Sequence, residues 1–305
     1  MLAGISLKWL PFFVFTLLQG YVAHRYFSEE TCENLIRGQT IQISGSRIER
    51  AWITSAVSDV NSMVGPLRVE KLKIYSVKSQ EAKLSFLFYG RLFAGTGELE
   101  TEPEKTRTIF IHELGHAIFE ANFRVTLNDQ ELSYTGFMKH VLMSQAADAE
   151  RLMHLMYSYT EIFADLVTIL DAGDPKVVPR AHGFISAEEL GILNRALTEE
   201  ELAEHKYRFL DFTAQLNLAE WDTAMAKIAD HPQVDMLKRY KEMAPVRGVL
   251  WSKYAKDLPR EKIPDLLSAF LKTAGEHLPL AFARHDITAI ELNQSFLEML
   301  AQNLQ

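Results

Sequence analysis

The chain has 305 residues, a formal net charge of −8 and one cysteine. That length suffices for a substantial buried core, as one large domain or two packed subdomains. The acidic balance argues against nucleic acid as a partner, since phosphate binding needs a basic surface. Cys32, standing alone, excludes an internal disulfide and a cysteine-held zinc site, so any metal must be held by His and carboxylates.

Residues 1–23, MLAGISLKWLPFFVFTLLQGYVA, carry Lys8 as their single charge. The apolar run from Trp9 to Ala23 then meets polar chain, the arrangement of an export signal. It is about 15 residues long, short of the ~20 that span a bilayer. The expectation is an exported protein, periplasmic or secreted. An uncleaved membrane anchor through residues 9–23 is the competing reading, and the one route by which the chain would meet a membrane.

Between Glu49 and Val64, the residues Ala51, Trp52, Ala56, Val57, Val60 and Met63 recur at helical spacing, and Gly65-Pro66 ends the pattern. Val69–Val77, Ala82–Tyr89 and Arg91–Leu99 read as strands, punctuated by Gly90, Gly95 and Gly97. Thr101-Glu102-Pro103-Glu104 is a helix start, with proline in the first turn and acids near the N-terminus.

The helix that follows carries the chemistry. In TRTIFIHELGHAIFEANF, His112 and His116 lie four residues apart, on one face and one turn from each other. Two imidazoles at that spacing reach one metal ion, and Glu113 can act on a water without being a ligand. Ile109, Phe110, Leu114, Ala117 and Ile118 surround the polar trio, so the helix is expected to be buried. Buried polar groups of this kind are costly unless paired or metal-bound. A catalytic zinc needs a third protein ligand and an open fourth position.

The third ligand is sought in the next long helical pattern, 145–172, which runs without a breaker to Gly173 and Pro175. Glu161 and Asp165, again four apart, sit there among Ile162, Phe163, Leu166, Val167 and Ile169. Glu161 as ligand, with Asp165 accepting a hydrogen bond from a ligand histidine, would satisfy both acids. Asp148, Glu150 and His154 are the rival third ligands.

These residues resemble the gluzincin metallopeptidases, in which HExxH on one helix is followed by Glu-x-x-x-Asp on a later one. The resemblance covers roughly residues 95–170 and implies Zn2+ held by His112, His116 and Glu161, with Asp165 behind them. It further implies that Glu113 is the general base that activates water and passes a proton to the leaving amine. The 44-residue spacer between His116 and Glu161 is longer than in the group's type member. A metzincin site is excluded, because Phe119 and Asn122 stand where Gly and His would be required. By the same analogy, an edge strand near Gly95–Glu100 is the expected device for pairing with an extended peptide. An oxyanion donor is sought among His182, Tyr254, Arg284 and His285.

Beyond Gly173-Asp174-Pro175 the chain reads as helical, with segments at 198–216, 218–230, 233–243, 246–256, 261–275 and 287–303. The expected class is α+β: a small mixed sheet, the metal-binding helix, then a mostly helical C-terminal half. The expected division is a signal at 1–23, a metallopeptidase core at 24–175 and a helical subdomain at 176–305. The expected activity is hydrolysis of peptide bonds by metal-activated water, with a peptide or protein as substrate. A zinc hydrolase of a non-peptide amide, or a non-catalytic binding protein with a structural metal site, are the alternatives.

Overall fold

A computed structural model describes residues 33–34, 40–88, 90–143, 149–181, 243–284 and 287–305. The export signal and the helices expected at 198–216 and 218–230, with most of 233–243, lie outside these residues. The described chain is α+β, a small mixed sheet followed by helices.

Five strands form the sheet: β1 (Glu33–Asn34), β2 (Thr40–Ser44), β3 (Lys71–Val77), β4 (Phe86–Phe88) and β5 (Arg91–Gly95). Their order is β1-β2-β3-β5-β4. The central strands β2, β3 and β5 are parallel, and β1 and β4 pair antiparallel at the two edges. Ile43, Ile74 and Leu92 are aligned across the parallel strands and face the main core. On the opposite face Tyr75 stacks on Phe93 at 5.2 Å and Phe86 on Phe93 at 4.8 Å, a small second cluster.

Two strand expectations are corrected. Ala82–Leu84 is a 3-10 turn, so only Phe86–Phe88 of the 82–89 segment is extended. The strand expected to reach Leu99 stops at Gly95, and the chain turns from Gly97 to Thr101. Gly95–Glu100 is therefore no edge strand: β5 lies inside the sheet, and the edge on that side is β4. Gly97 explains the stop. Its amide donates to the Gln80 carbonyl at 2.8 Å, and an added Cβ would come within 2.7 Å of that oxygen, so the turn folds back against the β3–β4 connection.

Helix α1 (Arg47–Val64) begins two residues before the expected Glu49. The Ser46 hydroxyl accepts from the Glu49 amide while Glu49 accepts from the Ser46 amide, a reciprocal cap. Ala51 turns out to be exposed and Ile53 takes the core position. Gly65, at φ 57°, ends the helix where the sequence placed its stop. Ser46→Ala is expected to cost about 1 kcal/mol in urea unfolding, the usual worth of such a cap.

Helix α2 (Pro103–Asn122) is followed by a hairpin, β6 (Arg124–Leu127) and β7 (Gln130–Ser133), and then by α3 (Tyr134–Met143). Asn128 and Asp129, at φ 51° and 62°, make the two-residue turn that matches strand twist. Helix α4 (Ala149–Ala172) packs along α2 and ends at Gly173, φ 63°. A short α5 (Val177–Ala181) follows. Among the later residues, α6 (Ala244–Val249) runs into a π-helical turn at Leu250–Ala255, then come α7 (Ile263–Ala283) and α8 (Ala289–Asn303). Helix α7 continues eight residues past the expected end at 275, through Pro279. It packs on α1, α4, β6 and α8, and its residues share one core with the sheet. None of the described helices is long and apolar enough to cross a membrane.

A polar string joins α4, α7 and α8. Ser295 gives its hydroxyl proton to the Glu291 carbonyl at 2.7 Å, so at 2.7 Å from His277 Nε2 it accepts. His277 Nδ1 then accepts from the Tyr159 hydroxyl, also at 2.7 Å. That pattern requires a neutral ring, and burial lowers the His277 pKa to about 4. The unfolded chain therefore binds a proton that the folded chain refuses between the ordinary value of 6.5 and about 4. The stability this ring contributes is complete above pH 6.5 and is lost as pH falls toward 4, by on the order of 3 kcal/mol. Urea titrations across that window should show the slope in the parent chain and a shallower one in His277→Gln.

Candidate metal centre

The α2 helix is unusual in being buried on most of its circumference: Ile109, Phe110, Ile111, His112, Leu114, Gly115, Ala117, Ile118 and Phe119 all lie in the interior. A buried imidazole on so enclosed a helix needs a partner. His112 is buried, while Glu113 and His116 are half-buried and open toward solvent. One ligand atom from each of the three lies within 4.8 Å of the others, and this His-Glu-His group could hold a metal ion.

The adjoining α4 helix brings a tighter set of atoms. His112 Nε2 and His116 Nε2 are 3.1 Å apart, and Glu161 Oε2 lies 3.5 Å from the first and 3.9 Å from the second. Three ligands ~2.1 Å from a tetrahedral cation stand ~3.4 Å from one another. The triangle formed by the two histidines and Glu161 has edges scattered about that value. The looser 4.8 Å grouping with Glu113 suits a residue beside the ion better than one on it.

Behind the triangle, Asp165 Oδ1 is 2.8 Å from His112 Nδ1. With Nδ1 turned to this carboxylate, Nε2 is the nitrogen left to face Glu161 and His116. Asp165 is fully buried, and its other oxygen, Oδ2, is 3.2 Å from the guanidinium of Arg247, itself fully buried. The line Arg247–Asp165–His112 thus joins α6, α4 and α2 behind the open face. Electrostatically the centre is built for positive charge. Burial opposes a charge on His112, yet Asp165 and then Glu161 outweigh it and lift the imidazole to about 10. The same negative potential favours a divalent cation at Nε2.

Gly115 sets the distance between the two helices. A Cβ there would sit 2.7 Å from the Ala164 Cα and 3.2 Å from the Ala164 carbonyl oxygen. Only glycine permits α2 and α4 to approach this closely, and the approach is what puts Glu161 beside both histidines. Phe119 and Phe163, with ring centroids 5.5 Å apart, close the contact one turn further on.

Every residue of the expected site is thereby accounted for: His112, Glu113, His116, Glu161 and Asp165 converge. The rivals do not. The carboxylates facing the two histidines at ion-pair distance, among the described residues, are Glu161 and Asp165. His154 lies on α4, about two turns before Glu161; Asp148 and the Glu150 side chain lie outside the described residues. Of the oxyanion candidates, His182 and His285 also lie outside them. Tyr254 packs half-buried on the core under the Lys253 ammonium, and Arg284 is exposed and pairs with Glu291 at 3.2 Å.

Three residues at or near the centre were not singled out from the sequence. Arg247 gave no signal, since nothing in APVRGV marks an arginine that will be buried. Tyr134 begins α3, and its ring meets Phe119 of α2 at 6.2 Å. Burial raises its phenol pKa well above the ordinary value, reinforced by Glu120, Tyr157 and Glu161 nearby. Glu120, one turn past His116, is half-buried, and burial pushes its carboxyl up to about 7. The signal for Glu120 was in the run itself, as the third polar residue at four-residue spacing in HELGHAIFE.

Compared with family models, with curated proteins and with solved structures, the chain finds no match.

Proposed function

We propose that the chain is a zinc-dependent peptidase with a gluzincin-type site, hydrolysing peptide bonds with Glu113 as general base. The observation that carries this reading is the triangle of His112 Nε2, His116 Nε2 and Glu161 Oε2, with edges of 3.1, 3.5 and 3.9 Å beside an acid that completes no part of it. Zinc is the ion best suited to two imidazoles and one carboxylate at these separations. Bound there, zinc supplies Lewis acidity that polarises a carbonyl and makes water acidic enough to ionise near pH 7.

The chain's own groups do the rest. Glu113 takes the proton of the attacking water and delivers it to the leaving amine. Asp165 positions His112 through Nδ1, and Arg247 lies against the other oxygen of Asp165 and holds it in place. Export, read from residues 1–23, belongs to the same proposal: a peptidase outside the cytoplasm meets peptides without endangering nascent chains.

The test is cleavage of a diverse peptide library by the full chain, with Glu113→Gln beside it. The expected result is cleavage by the parent, a loss of at least about a thousandfold in the variant, and one equivalent of zinc on both. Zinc bound to both proteins with no cleavage by either would overturn the peptidase reading.

A further inference from the structure

The carboxylate that the catalytic reading leaves unused is Glu120. Helix α2 places His112, His116 and Glu120 at successive four-residue steps, so Glu120 stands on the same side, ~6 Å along the axis from His116. It is half-buried, and among the described residues its carboxylate has neither an ion pair nor a hydrogen bond. A desolvated acid without a partner is unfavourable for the fold, and such groups cluster where a ligand completes them.

Its surroundings point to the sign of that ligand. Around the Tyr134 phenol at the start of α3 lie Glu120, Tyr157 of α4 and Glu161, each an acid or a phenol. Phe119, whose ring meets Tyr134, walls the same space. The environment holds oxygen acceptors and π faces, both of which attract a cation. No lysine or arginine among the described residues enters it to supply one.

We infer that Glu120, with Tyr134 beside it, forms a substrate subsite that receives a positively charged group of the peptide next to the bond that is cut. The inference rests on the peptidase reading above and names its substrate class: peptides with an ammonium or guanidinium close to the scissile bond. An extended peptide advances ~3.3 Å per residue, so the cation sits within two residues of the metal-bound position. It is carried by a lysine or arginine side chain or by a free amino terminus.

The experiment measures equilibrium binding to the zinc-loaded full chain carrying Glu113→Gln, which separates binding from turnover. The probes are N-acetylated hexapeptide amides of alanine and phenylalanine with one lysine at each position in turn. The same peptides with norleucine, and the norleucine peptides with a free amino terminus, complete the set. One lysine register, or the free terminus, is expected to bind roughly ten- to a hundredfold tighter than its neutral counterpart, the worth of one charge-assisted hydrogen bond. Adding Glu120→Gln, a neutral isostere in a place that already favours a neutral acid, should bring that peptide to the norleucine level. Tighter binding of a lysine register assigns the subsite to a side chain, and of the free terminus to the end of the peptide. Equal binding of charged and neutral peptides overturns the inference, as does a preference that survives Glu120→Gln. A preference that Glu120→Gln removes, in a protein whose Glu113 form cuts none of these peptides, keeps the subsite and overturns only the peptidase reading.

Discussion

Arg247→Met is expected to cost about 3–5 kcal/mol of stability, the usual penalty for removing one member of a fully buried ion pair. Methionine fills much of the same volume without a charge, so the loss reports on Asp165 rather than on a cavity. Asp165 then keeps its contact with His112 Nδ1 at 2.8 Å but loses the guanidinium on its other oxygen, and each has reason to give up its place. Zinc affinity is expected to fall roughly ten- to a hundredfold, as happens when the group orienting a metal-binding histidine is disturbed. Asp165→Asn should recover part of the stability when added to Arg247→Met, because a carboxamide still accepts from His112 Nδ1 and needs no guanidinium. Urea unfolding of the four proteins, with zinc affinity from chelator competition, gives the coupling directly. A stability within about 0.5 kcal/mol of the parent and an unchanged zinc affinity would make Arg247 mere filling.

Gly115→Ala sets two principles against each other. By helix propensity alone, alanine in place of a mid-helix glycine stabilises by ~1 kcal/mol. The close approach to α4 says the reverse, because the new Cβ would lie 2.7 Å from the Ala164 Cα. Main chain cannot step aside as a flexible side chain can, and overpacking of this kind costs about 1–3 kcal/mol. The second effect should win, with a lower melting temperature. Zinc affinity should fall at least about tenfold, since spreading the helices lengthens the separations of 3.5 and 3.9 Å from Glu161 to the histidines. Ala164→Gly should fail to rescue it, as the nearest atom is Cα and not Cβ. A Gly115→Ala protein that melts higher and holds zinc as tightly would show that the helices are free to move apart.

The parts of this centre that were legible in the sequence are those written at helical spacing. His112, His116, Glu161 and Asp165 form two pairs four residues apart, and periodicity alone puts each pair on one face. That the two faces meet was an inference from chemistry: apolar flanks around polar residues demand a partner, and one ion satisfies three of them while the fourth supports a ligand. Gly115 carried no signal in the sequence, because the approach of Ala164 belongs to a segment far along the chain. Arg247 was invisible for the same reason. The strand ending at Gly95 was overextended because Thr96-Gly97-Glu98-Leu99 alternates as a strand does, while its backbone is drawn into a turn by the Gln80 carbonyl. The β6–β7 hairpin escaped notice because Asn-Asp lacks the glycine that usually advertises such a turn, although both residues take left-handed conformations there. Helix α7 runs through Gly275 and Pro279, two breakers by rule. Gly275 is there because the Arg124 carbonyl comes so near that a Cβ would lie 2.1 Å from it.

The buried line from His112 through Asp165 to Arg247 also has a meaning in time. A chain emerging from the ribosome presents both histidines and Glu161 long before the arginine has been made, and N-terminal parts fold first. Until α6 arrives, Asp165 lacks the guanidinium that steadies it, and His112 is positioned by a carboxylate that is itself unsupported. The metal centre is therefore finished by the last third of the polypeptide. A half-made chain carries the motif without Arg247, the group that steadies Asp165 and through it His112.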